Sequence, residues 1–113
     1  MKGRKLNLKD YLVEGFDEKG EKKQVHYDVK GSLISLLFNR QLNLSAQKLL
    51  DMDDLGRKIR DCKDKEILLE EDDYLKIKQA VDSFNSYGER DIELVRRVST
   101  APQVEVEEKK KDK

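Results

Sequence analysis

Polar and apolar residues alternate at Leu6 and Leu8, and Tyr11, Leu12 and Val13 follow, a period of two that predicts a strand. Gly15-Phe16-Asp17-Glu18-Lys19-Gly20-Glu21-Lys22 reads as a turn with glycine near both ends. From Gln24 the alternation resumes. Val25, Tyr27 and Val29 point one way, and His26 and Asp28 the other. Two alternating segments around a glycine-containing turn predict a β-hairpin.

Gly31-Ser32 opens the next element, with Ser32 able to accept from a free N–H at a helix start. Leu33, Ile34, Leu36, Leu37 and Phe38 make that helix apolar on nearly all sides, so it belongs at the centre of the core. Asn39 to Asn43 connects it to a longer helix capped by Ser45. There Leu49, Met52, Leu55, Ile59 and Cys62 recur at steps of three and four, which puts them on one face. Gly56 within it signals a kink or a close packing contact.

Ile67-Leu68-Leu69 predicts a third, short strand. The acids Glu70, Glu71, Asp72 and Asp73 suit the positive end of a helix dipole. The helix they open presents Tyr74, Ile77, Ala80, Val81 and Phe84, with Gly88 as its stop. A last helix from Glu89 to Ser99 is expected to bury Ile92, Val95 and Val98, with Pro102 ending it. Val104 and Val106 either add an edge strand or stay loose. The fold class is therefore α+β: an N-terminal hairpin and a short third strand packed with about four helices, in the order ββααβαα. One domain over residues 5–101 is expected, between a flexible start at 1–4 and a charged, disordered tail at 102–113.

Composition sharpens this picture. The chain has 113 residues, enough for one domain. Charged residues make up 42%, so the core must be thin and the helices two-faced. Net charge is zero, which argues against a dedicated nucleic-acid binder. The charge is nonetheless uneven. Residues 1–65 carry 15 basic and 11 acidic side chains, and residues 66–108 carry 5 and 12. Either the two halves attract each other, or opposed patches select different partners. The candidate patches are a basic stretch, Arg57, Lys58, Arg60, Lys63 and Lys65, and an acidic one, Glu70, Glu71, Asp72 and Asp73. Asp61 and Asp64 interrupt the first.

Candidate chemistry is sparse. His26 is the single histidine and falls on the polar face of its strand, and Cys62 is the single thiol and falls on an apolar helix face. Together they cannot make a zinc tetrad. Asp51, Asp53 and Gly56 fit three positions of a calcium loop, but Leu55 and Cys62 stand where ligands are needed. No glycine cluster forms a phosphate cradle. Hence no enzyme, cofactor, metal or small-molecule substrate is expected. No apolar stretch approaches the roughly 20 residues of a membrane span, and no signal peptide is evident, so a cytoplasmic location is expected.

Two segments carry a resemblance: Asp54-Leu55-Gly56-Arg57-Lys58-Ile59, and Glu66-Ile67-Leu68-Leu69-Glu70-Glu71-Asp72-Asp73-Tyr74-Leu75-Lys76-Ile77-Lys78. With the hairpin before them, they resemble a group of short phage-encoded proteins over about residues 5–99. Gly56 departs from the alanine usual there, and the charged C-terminus is longer. The resemblance implies a phage accessory or morphogenesis protein and supplies no catalytic residue. The expected role is a non-enzymatic protein-interaction or assembly module, with a protein partner or self-association. The alternative is nucleic-acid binding through the helix face at 57–65.

Overall fold

The computed structural model describes residues 2–105. It is α+β, with strands β1 (Lys2–Asn7), β2 (Tyr11–Phe16) and β3 (Lys22–Tyr27), helices α1 (Val29–Leu37) and α2 (Ala46–Asp61), strand β4 (Glu66–Glu70), helices α3 (Glu71–Ser83) and α4 (Ile92–Ser99), and strand β5 (Gln103–Glu105). The strands form two separate antiparallel sheets. One has the order β4-β1-β5, and the other is the β2–β3 hairpin.

The strand expected from Leu6 to Val13 is thus two strands in different sheets. Two short polar side chains divide it. Asn7 Oδ1 accepts from Lys9 N at 2.8 Å, and Asp10 Oδ1 accepts from Val29 N at 3.0 Å. Side chains that capture backbone donors in this way turn the chain instead of extending it. The start at 1–4, expected to be flexible, contributes Lys2, Gly3 and Arg4 to the central strand, and β5 carries the domain past residue 101. The rest of the charged tail, 106–113, lies outside the described residues, as does Val106.

Strand β1 pairs with β4 from Gly3↔Glu70 to Asn7↔Glu66, and with β5 from Lys2↔Glu105 to Arg4↔Gln103. Leu6, Leu8, Ile67 and Leu69 lie on its core side, where α3 and α4 pack. Helix α1 sits deepest. Val29, Leu33 and Leu37 are essentially inaccessible, and α1 packs against both α2 and α3. It starts earlier than Ser32 because Asp28 caps it, accepting from Gly31 N at 3.0 Å. Ser45 caps α2 as expected. Met52, Leu55 and Ile59 are buried, and Gly56 packs on α1 in ordinary contact, with Ile34, Leu37 and Phe38 at 3.8 Å from where its Cβ would be. Leu49 is instead exposed, because the whole first turn from Ala46 to Leu50 stands clear of the core.

Helix α3 ends at Ser83, before Gly88, and Glu89–Asp91 forms a 3-10 turn. Helix α4 begins at Ile92, and its buried stripe runs through Leu94 instead of Ile92. Leu94, Val98 and Ala101 are buried, Val95 is half-buried and Ile92 is exposed. Polar clamps hold the helices. Tyr74 Oη donates to Val98 O at 2.6 Å, and Asn39 Nδ2 donates to Leu36 O and Ala80 O, tying α1 to α3. Arg4 lies 4.4 Å over the Tyr74 ring and donates to Ala101 O at 2.8 Å.

Candidate interaction surface

Opposite charge partly neutralises the two patches expected from sequence. Arg57 pairs with Asp53 at 3.2 Å, Lys58 with Asp73 at 2.8 Å, and Arg60 with Asp61 at 3.3 Å. Asp73, largely shielded, also takes Lys76 at 3.8 Å, and Glu71 takes Arg4 at 3.3 Å. The bond to Asp73 raises the Lys58 pKa above its ordinary value. Glu70 and Asp72 are exposed. The basic and acidic halves therefore attract each other, through Lys58–Asp73 and Arg4–Glu71. The exposed pairs Arg57–Asp53 and Arg60–Asp61 contribute little to stability, about 0–1 kcal/mol each.

Lys63 and Lys65 lie beyond the end of α2 and leave its face. With Lys9, Asn7, Asp64 and Glu66 they line an open depression of about 770 Å³. His26 is exposed on β3, opposite Leu12. Cys62 caps α2 half-buried, its Sγ 3.5 Å from Glu66 O, and its carbonyl accepts from Lys30 Nζ. Asp51, Asp53 and Gly56 are all within helix α2, so no calcium loop forms. Among the described residues no group of three or more His, Cys, Asp or Glu could hold a metal ion.

A feature the sequence reading missed is the placement of the β2–β3 hairpin. It stands apart as an arm attached at its base. There the Tyr11 and Tyr27 rings stack, centroids 4.6 Å apart and planes 14° from parallel. Tyr11 Oη donates to Arg90 O at 2.8 Å and accepts from Leu94 N at 3.3 Å. Tyr27 Oη donates to Asp91 Oδ1 at 2.5 Å, while Asp91 Oδ2 accepts from Gly88 N at 2.8 Å. Arg97 lies 5.0 Å from the centre of the Tyr11 ring and donates to Lys9 O at 2.6 Å. One carboxylate, Asp91, thus ties the hairpin base to the turn before α4.

This setting changes the phenols. Burial first, and then the Asp91 carboxylate, push the Tyr27 pKa well above its ordinary value. Burial likewise pushes Tyr87 up to about 12. At neutral pH both are therefore neutral donors, suited to anchoring. A small cleft of about 200 Å³ between them is lined by Ser32, Ser35, Leu36, Phe84 and Asp91.

Past its base the arm leaves the core. Leu12 and Phe16 are 56% and 61% exposed, and both occupy the β2 face that carries Glu14. Val13, Gly15 and Val25 occupy the other face. The signal for this was present in the alternation of Leu12, Glu14 and Phe16, but assigning Gly15-Phe16 to the turn cut it short. Gly15 and Phe16 are strand residues, paired with Lys23 and Lys22. The turn itself needs only Gly20, at φ +80°. No family model matches the chain, and no curated protein or solved structure shows significant similarity to it. No helix among the described residues is long and apolar enough to cross a membrane.

Proposed function

We propose that this protein is a non-enzymatic interaction or assembly module whose contact element is the β2–β3 arm. One observation carries the reading: a two-stranded sheet outside the core exposes Leu12 and Phe16 on one face, on either side of Glu14. A lone hairpin is marginal in water, and a partner that covers its apolar face would stabilise it. The phage resemblance supports, within this reading, an accessory or morphogenesis role. The single cysteine, which allows no internal disulfide, supports a cytoplasmic setting.

A second reading, nucleic-acid binding, keeps a smaller footing. Lys63, Lys65 and Lys9 gather at one depression and make no ion pair among the described residues, whereas Arg57, Lys58 and Arg60 are already paired.

The test is capture from a lysate of the source cell, with and without nuclease, by the wild type and by Leu12→Ser/Phe16→Ser. The expected result is a nuclease-resistant protein partner that the double variant no longer retains, with an unchanged circular dichroism spectrum. A partner retained equally by the double variant would overturn the arm as contact element. Capture abolished by nuclease and by Lys63→Glu/Lys65→Glu would transfer the role to the lysine depression.

A further inference from the structure

We infer that the arm joins this chain to a second copy of itself, β2 against β2, about a two-fold axis at Glu14. The inference rests on the interaction reading and names its partner.

The phase of the hairpin ladder decides which backbone groups face outward. Tyr11 pairs with Tyr27 and Phe16 with Lys22, and Asp17 N donates to Glu21 O at 2.9 Å one step further on. Bonded and non-bonded pairs alternate in an antiparallel ladder. Tyr11, Val13 and Gly15 therefore bond inward to β3. Leu12, Glu14 and Phe16 turn their N–H and C=O groups to the free edge. No described residue caps that edge with a backbone bond.

The two edges of the arm differ in kind. On β3 the outward residues are Lys22, Gln24 and His26. Polar and cationic side chains, lysine above all, are what protects an edge from strand addition. On β2 the outward residues are two large apolar side chains flanking one acid. The protected edge and the open edge belong to the same hairpin.

The open edge is palindromic. Set antiparallel to itself about Glu14, β2 places Leu12 opposite Phe16 of the copy, and Phe16 opposite its Leu12. These are the residues whose backbone groups face outward, so each can donate and accept one bond across the junction. Side-chain pairing and hydrogen-bond phase thus agree in a single register. A shift of one residue would lose both. On the reverse face Val13 meets Gly15 of the copy. Gly15 carries no side chain of its own, and the methyls of Val25 in the same hairpin cover it, with Cγ2 3.0 Å from where its Cβ would lie.

Charge permits the approach. The chain has 24 basic and 24 acidic residues, so two copies feel no long-range repulsion from net charge. At the axis Glu14 faces Glu14 of the copy, and each has Lys22 of its own hairpin 3.7 Å away. The line of charges runs plus, minus, minus, plus. The repulsion it leaves at the centre weakens the junction and gives the register a signature.

The test combines sedimentation with cross-linking. Wild-type protein is expected to shift from monomer to dimer as concentration rises, and Glu14→Gln to do so at several-fold lower concentration. Leu12→Ser/Phe16→Ser is expected to remain a monomer. In Glu14→Cys/Cys62→Ser the two introduced thiols would sit in a bonded pair with Cα atoms about 5.5 Å apart, within disulfide reach. Mild oxidation should therefore trap a covalent dimer. A wild type that stays monomeric, or a dimer whose Glu14→Cys/Cys62→Ser variant forms no cross-link, would overturn the inference. If the wild type is monomeric while lysate capture still depends on Leu12 and Phe16, only the second copy falls. If neither occurs, the interaction reading falls with it.

Discussion

Strands β1 and β2 are each six residues long and lie close together in the chain, and each carries one leucine within an alternating run. Leu6 is 1% exposed, whereas Leu12 is 56% exposed. The difference lies in what faces each strand. Strand β1 is central, with β4 and β5 on its sides and α3 and α4 across one face. Strand β2 has only β3 beside it, and past the tyrosine base its Leu12 and Phe16 lie open. Alternation alone states that a strand has two faces. Whether one is buried depends on partners contributed from elsewhere in the chain.

The comparison is broken most severely from the body. Ile59→Ala empties a fully buried site under α1 and should cost about 2–5 kcal/mol. Leu12→Ala in the arm, by contrast, should stay within about 0.5 kcal/mol. Urea unfolding of both variants checks this. Equal losses would mean that the arm shares the body's core.

Tyr27→Phe acts at the boundary. It removes the donor to Asp91, and a hydrogen bond to a charged group contributes about 1.5–3 kcal/mol. The loss should appear as faster amide hydrogen exchange in β2 and β3, with β1 and β4 unchanged. Uniform acceleration across both sheets would show that arm and body open together.

The smallest effect runs the other way. Gly56→Ala meets only ordinary contacts at 3.8 Å and restores helix propensity inside α2. A gain of about 0.5–1 kcal/mol is expected from thermal unfolding. A loss would show that α2 is held tighter against α1 than those distances allow.

Periodicity made the body legible. The burial of Met52, Leu55 and Ile59, the strand at Ile67–Leu69, the acid-opened helix and the Ser45 cap all follow from local rules. What stayed hidden depends on distant residues. Asn7 and Asp10 break one apolar run into two sheets, and Asp10 does so by reaching Val29 N. The face that α4 buries, Leu94 instead of Ile92, is set by its partners α3 and β1. The contact between the two charged stretches was hidden for the same reason. Lys58 and Asp73 are fifteen residues apart and looked like separate surfaces, but the fold puts them in contact.

Pairing Lys2 with Glu105 has a consequence for the order of assembly. The middle strand of the main sheet is made first by the ribosome, and its two neighbours emerge about 65 and 100 residues later. Contacts that span so much chain slow folding, because a long loop must close before they contribute. The hairpin, whose pairs span at most 16 residues, has no such wait. The strands of the arm can thus pair early, but the tyrosine contacts that hold its base to Arg90, Asp91 and Leu94 form only once that late segment is made.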